Sequence, residues 1–195
     1  MAELDPVCLA RRVFLSHSTE ATEAIGAALG RAIEAQAELV RSGVVLALEG
    51  ELGGGKTAVT RGVASGLGAK DRVHSPSFTL MHTYEGRLPI YHFDAWMEGR
   101  ERAFLDGGGA EWLESGGVAL IEWARRVEAW LPLPRLGLVL EHMGPQDPET
   151  RRLTLSALGP RVVAGDRARI RAVEALVQGL SLGAVRAAPG AIEEL

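Results

Sequence analysis

The stretch Gly50-Glu51-Leu52-Gly53-Gly54-Gly55-Lys56-Thr57 carries the most specific chemistry in the chain. It satisfies G-x-x-x-x-G-K-[ST], the pattern in which a glycine-rich backbone curls until its N–H groups converge on phosphate oxygens. Side chains would obstruct that approach, hence the glycines. Lys56 is one of only two lysines. In this pattern it bridges the terminal phosphates, and the Thr57 hydroxyl is a ligand for Mg²⁺. Glu51, Leu52, Gly53, Gly54, Gly55 and Ala58 complete the cradle, so the stretch predicts a nucleoside triphosphate held with Mg²⁺.

Hydrolysis needs more: an acid on the metal side and a group that orients water. Asp94 and Glu122 qualify, because each ends an apolar run of strand length, and ligands gather at the carboxyl ends of strands in doubly wound sheets. Either acid could hold Mg²⁺ directly, hold it through water, or polarise the attacking water. Lys56, Asp94 and Glu122 are therefore the expected catalytic residues, and Thr57, Glu122 and Asp94 the expected metal ligands. Ser75, Ser77 and Thr79 form a candidate segment for sensing the last phosphate, although Ser-Pro is also a turn signal. Trp123 could stack on a base or face a partner, although a tryptophan beside a strand is as often a core residue, and Arg151 or Arg152 could reach the nucleotide. His92 is read as a hydrogen-bonded structural histidine, and Trp96, Trp112 and Trp130 as packing residues.

These side chains need a scaffold. Ser18 or Thr19 caps a helix expected from residue 19 to residue 40, with Ile25, Leu29, Ile33 and Val40 on one face. Val44 to Leu48 is a continuous apolar run, the mark of a strand covered on both sides. It feeds the glycine loop directly. A helix from Thr57 to Leu67 follows, stopped by Gly68. Strands are expected from Phe78 to Met81, over the stretch before Asp94, before Glu122, and over residues 135–143 and 151–158. Short helices broken by glycines fit residues 100–117, and a last helix residues 166–180. The final dozen residues are expected to be loose. Together these elements predict an α/β, three-layer P-loop NTPase fold with a mostly parallel central sheet and antiparallel additions at the edge. Residues 1–160 form the expected ATPase domain, and 161–195 a helix and tail packed on it or trailing from it.

Composition narrows the function. At 195 residues, 47% hydrophobic and 24% charged, the chain suits one globular domain. Its formal net charge of −4 argues against a broad phosphate-gripping face. The single cysteine, Cys8, cannot form an internal disulfide, and no apolar run approaches bilayer-spanning length, so a cytoplasmic protein without a membrane role is expected. The chain contains no asparagine, which removes the Asn-Lys-x-Asp motif that reads guanine and disfavours a GTPase. Asp106-Gly107-Gly108-Gly109 matches Asp-x-x-Gly only through its glycine run. A small-molecule kinase and a nucleotide-gated binding module remain as alternatives.

Four segments in series, GELGGGKTAVTRGVASGLG, VHSPSFTLMHTYEG, LPIYHFDAW and GVALIEW, resemble the TsaE (YjeE) family of bacterial P-loop ATPases. The Ser-Pro-x-Phe-Thr-Leu, His-Phe-Asp and Ile-Glu-Trp signatures are far more specific than the loop. The resemblance implies an ATPase that works with TsaB and TsaD proteins in making threonylcarbamoyladenosine in tRNA, with tRNA contacted only indirectly and the transfer step left to TsaD. It also implies Thr57 as the Mg²⁺ threonine, Asp94 as the catalytic aspartate, Glu122 as the metal-side glutamate and Trp123 as its following tryptophan. Ser77 stands where the family usually has threonine, and Ala95-Trp96-Met97 where it has Leu-Tyr-Arg.

Overall fold

The computed structural model describes residues 6–76, 79, 81–97, 99, 116–161, 166–182 and 190–195. Ser77, Phe78, the region 100–115 with Trp112, and Asp106 to Gly109 lie outside them. One sheet organises the chain. In order of sequence the elements are β1 (Pro6–Ser16), α1 (Thr19–Glu34), α2 (Ala37–Ser42), β2 (Val44–Gly50), α3 (Lys56–Gly66), β3 (Met81–Glu85) and β4 (Pro89–Asp94). Then come β5 (Val118–Glu122), a 3₁₀ segment (Ala124–Trp130), β6 (Arg135–His142), β7 (Arg151–Pro160), α4 (Arg167–Gly179) and β8 (Ile192–Glu194).

The strand order is β3-β4-β5-β2-β6-β7-β1-β8. Its centre, β4-β5-β2-β6, is parallel. Antiparallel strands flank it at both edges: β3 on one side, and β7, β1 and β8 on the other. Alternation along each strand divides the core between two faces. On one, Leu46 and Leu48 of β2, Leu120 of β5 and Ile90 of β4 pack with Ile25, Leu29 and Ile33 of α1, Val59 and Val63 of α3, and Val173 of α4. On the other, Val45, Ala47, Ile121 and Phe93 meet Ala124, Val127 and Leu131 around the 3₁₀ segment. Helices therefore cover one side and the 3₁₀ segment the other, giving three layers around the site.

Helices α1 and α3 approach unusually closely through glycines spaced four apart on each: Gly26 and Gly30 against Gly62 and Gly66. A Cβ built at Gly26 would stand 2.5 Å from the Val59 carbonyl oxygen, one at Gly30 2.5 Å from that of Val63, and one at Gly62 2.0 Å from that of Glu23. The phosphate-loop helix is thus seated backbone to backbone on its neighbour. No described helix is long and apolar enough to cross a membrane.

Several local expectations need correction. The first helix does not run unbroken to residue 40: it is capped by Ser18, whose Oγ accepts from the Ala21 amide, and ends at Glu34. Gln36 is extended and α2 starts afresh, so Leu39 is buried and Val40 exposed. The break rotates the helical register, which a single periodic pattern could not anticipate. Residues 11–15 belong to an 11-residue strand, β1, in which the adjacent Arg11 and Arg12 break the apolar pattern. The chain end is not loose: β8 pairs with β1, and Arg12 ties it down through Glu194 and the Leu180 carbonyl. Trp96 and Trp130 are both 42% exposed, so neither is a core packing residue. At Gly68 the expected stop holds, with φ +78° and the Ala69 amide reaching back to the Ala64 carbonyl.

Candidate functional site

A cavity of about 440 Å³ opens at the carboxyl ends of the parallel strands, lined by residues 52–58 together with Thr19, Arg61, Ser75, Asp94, Trp96, Glu122 and Trp123. That volume lies within the usual range for small-molecule sites, roughly 300–1,000 Å³. β2 delivers the chain to the loop, and α3 takes it away starting at Lys56. Gly53 (φ +73°) and Gly55 (φ +102°) adopt left-handed backbone that a side chain would resist, and so let the loop fold over the start of α3. Main-chain amides and the positive end of α3 face the same space.

The acids arrive by register. Ile90, His92 and Asp94 alternate onto one face of β4, and the parallel pairing sets Ile90 beside Val118, His92 beside Leu120 and Asp94 beside Glu122. Glu122 is also the register partner of Leu48 on β2. Both carboxylates therefore stand side by side, 3% and 4% exposed, on the face that carries α3. The Thr57 hydroxyl donates to Glu122 Oε1 at 2.8 Å. His92 Nε2 contacts the same oxygen at 2.9 Å. Asp94 accepts from the Ser75 hydroxyl at 3.0 Å and from the Trp96 amide at 2.9 Å.

Lys56 is buried, and its ammonium donates to the carbonyls of Gly50 (2.7 Å) and Glu51 (2.9 Å). It also lies 3.8 Å from the centre of the Trp123 ring. Burial lowers its affinity for a proton below that of an ordinary lysine, against the pull of Glu122, Glu49 and Asp94. Trp123 holds a left-handed backbone (φ 59°, ψ 39°), a conformation costing on the order of 1–3 kcal/mol for a bulky residue. The reversal turns the chain off β5 straight after Glu122 and sets the indole over Lys56. Trp96 meets Trp123 at a tilt, with ring centres 4.3 Å apart and 42° between the ring planes, and the Arg126 guanidinium lies 5.4 Å from the centre of the Trp96 ring.

The structure thus brings together Lys56, Thr57, Asp94, Glu122, Trp123, Ser75 and the glycine loop. It places Trp123 against Lys56 and in the lining of the cavity. Glu51 joins the loop through its carbonyl. Arg151 does not line the cavity: its guanidinium donates to the carbonyls of Pro148 and Thr150. Arg152 is exposed on β7. Thr79 bonds His82 instead of the cavity residues. Sequence reasoning overlooked Thr19, Arg61 and the role of His92. Arg61 stands one turn beyond Thr57 and pairs with Glu23 at 2.7 Å. Its only signal was the i, i+4 spacing from Thr57 on a helix already inferred.

Among the described residues no three His, Cys, Asp or Glu side chains form a self-contained metal cage. The donors at the cavity are oxygens of Thr57, Glu122 and Asp94. That hard, incomplete set suits Mg²⁺, which characteristically takes one or two carboxylates and completes its shell with phosphate and water.

Fold and site together define a protein of the P-loop class. The family described as Threonylcarbamoyl adenosine biosynthesis protein TsaE matches residues 16–153. Proteins named tRNA threonylcarbamoyladenosine biosynthesis protein TsaE are similar over much of their length. The one from Bacillus subtilis (strain 168) is 41% identical over 126 residues, 64% of this chain and 77% of the relative. That from Treponema pallidum (strain Nichols) is 38% identical over 118 residues, 60% and 82% respectively. The one from Streptomyces coelicolor is 33% identical over 149 residues, 71% and 94%. The crystal structure of YdiB from B. subtilis superposes with a TM-score of 0.62 at 34% identity, covering 87% of this chain and 96% of that one. The chain belongs to the TsaE family.

Proposed function

We propose that this protein hydrolyses ATP with Mg²⁺ as the nucleotide-driven component of the machinery that makes threonylcarbamoyladenosine in tRNA, acting in the cytoplasm with TsaB-like and TsaD-like proteins. One observation carries the enzymatic part: the Thr57 hydroxyl, at the start of the phosphate-loop helix, lies 2.8 Å from a carboxylate at the end of a neighbouring strand. Two buried carboxylates beside a polyphosphate cradle repel the very ligand the loop is shaped for. The arrangement makes sense with a divalent cation between them. Mg²⁺, when bound, neutralises charge on the phosphates and polarises the bond to be broken.

Residue roles follow from position. The loop amides of residues 52–58 bind phosphate oxygens, and Lys56 exchanges its two carbonyl partners for the phosphates. Thr57 and Glu122 hold the metal side. Asp94, oriented by Ser75 and the Trp96 amide, either orients the attacking water or holds the ion through water. No role is proposed for Arg151. The acidic balance of the chain favours leaving tRNA to the partner proteins.

The test is phosphate release from ATP and from GTP by the purified protein, alone and mixed with TsaB and TsaD. ATP is expected to support turnover and complex formation, GTP much less, and Lys56→Ala to abolish turnover. If Asp94→Ala and Glu122→Ala each turn over ATP at the wild-type rate in the full mixture, the enzymatic reading fails.

A further inference from the structure

The Glu122 carboxylate has a second hydrogen-bond partner that the proposed reaction does not use. His92, fully buried, meets Glu122 Oε1 through Nε2 at 2.9 Å, on the same oxygen that receives the Thr57 hydroxyl. A carboxylate only accepts, so the imidazole donates from Nε2. Its other nitrogen, Nδ1, meets no hydrogen-bond partner among the described residues. Its strand neighbours are Ile90 two residues earlier on β4, Leu120 as register partner on β5, and His82 as register partner on β3, whose own ring nitrogens are bonded to Thr79 and Tyr84. A leucine or phenylalanine would serve packing better, because a bare ring nitrogen in such a place is a standing cost. What the imidazole adds is its bond to Glu122.

We infer that His92 is a positioning residue for Mg²⁺: its Nε2–H fixes the orientation of the Glu122 carboxylate at the start of α3, so that the carboxylate meets the ion together with Thr57. The inference rests on the metal-side reading of Glu122 given above. Alternation on β4 supplies the geometry, since a side chain two residues before Asp94 on the same strand face lies diagonally opposite Glu122. Hydrogen-bonded partners of this kind orient a metal-binding carboxylate that free rotation would leave spread over several rotamers.

The experiment uses the whole chain and a fluorescent ADP analogue, titrated in EDTA and across a range of MgCl₂. His92→Asn is too short to reach Glu122, whereas His92→Gln places an amide nitrogen where Nε2 stood. The expected result for His92→Asn is a rise of about 10–100-fold in the Mg²⁺ concentration giving half-maximal enhancement of binding, with affinity in EDTA unchanged and recovery in His92→Gln. Equal Mg²⁺ dependence in wild type and His92→Asn overturns the inference. So does a loss of affinity that is the same with and without Mg²⁺, the mark of a merely structural histidine. A second measurement needs no variant: ¹⁵N NMR of the wild-type histidines should find the His92 proton on Nε2 in the free and Mg·ADP-bound protein, and a proton on Nδ1 alone overturns the inference. Should wild type bind nucleotide with no response to Mg²⁺, the metal-side reading itself falls and this inference goes with it.

Discussion

Replacing Gly62 by alanine tests whether the seating of α3 on α1 is what holds the phosphate loop in register with the acids. The new Cβ would stand 2.0 Å from the Glu23 carbonyl oxygen and 2.9 Å from the Gly26 Cα. Both are main-chain atoms, so no rotamer change relieves the contact. Restoring an ordinary 3.4 Å separation requires the helices to part by about 1.4 Å. Overpacking of a close interface costs about 1–3 kcal/mol, and a rigid backbone contact belongs at the upper end. Alanine returns only about 0.5–1 kcal/mol through its better helix propensity. The net loss is about 2 kcal/mol, equivalent to a fall in Tm of roughly 4–8 °C for a chain of this size. Because α3 begins with Lys56 and Thr57, the same retreat lifts Thr57 from Glu122 and should weaken nucleotide binding. Differential scanning calorimetry and an ADP titration read the two effects. Gly179→Ala is the control: it ends α4 with no atom within 4 Å of the added Cβ, so Tm should hold or rise slightly and binding should not change. A Gly62→Ala protein as stable as wild type would refute the argument.

Further predictions concern groups around the cavity. Tyr84 is buried on β3, and its hydroxyl accepts from the His74 amide (3.2 Å) and donates to the His74 carbonyl (3.1 Å), pinning the backbone just before Ser75. Tyr84→Phe removes one oxygen and about 1–2 kcal/mol of hydrogen bonding. Faster hydrogen exchange at the His74 amide and slower ATP turnover are expected, and unchanged exchange would count against the clamp. Glu49 lies above the usual carboxylate range because burial outweighs its bond from the Arg125 amide and the charges of Arg125 and Lys56. Between the ordinary and the raised value the native state binds more protons than the unfolded chain, so this group's stability contribution is lost as pH rises through that window. Glu49→Gln escapes the loss: its Tm advantage over wild type should be near zero at about pH 4 and positive at about pH 8. An advantage that does not vary with pH would contradict this assignment.

The loop and both acids were legible because each is locally encoded. Gly50 to Thr57 is a contiguous motif, and Asp94 and Glu122 close apolar runs whose length and composition read as buried strands. That Asp94 and Glu122 become neighbours was not legible, since it depends on β4 and β5 pairing in parallel across a connection of more than twenty residues. His92 carried a signal, its i, i+2 spacing from Asp94, but the spacing acquires meaning only once Glu122 is known to lie opposite. The left-handed turn at Trp123 has no sequence signature, because glycine or asparagine would be expected there. Arg151 begins β7 opposite His142 at the carboxyl end of β6, yet its own turn supplies the carbonyls that hold it, which the sequence could not reveal. The C-terminal strand escaped notice because three residues that owe their structure to β1 show no periodicity of their own.

The paired indoles have a practical meaning. Trp96 and Trp123, with ring centres 4.3 Å apart at an interplanar angle of 42°, are close enough to share their excited states, and the lysine on Trp123 perturbs one member of the pair directly. The near-ultraviolet circular dichroism and the emission of this protein therefore carry a signal from the cavity itself. Departure of the ammonium from the ring face changes that signal, so the arrival of a nucleotide can be timed optically in the unlabelled, unsubstituted chain.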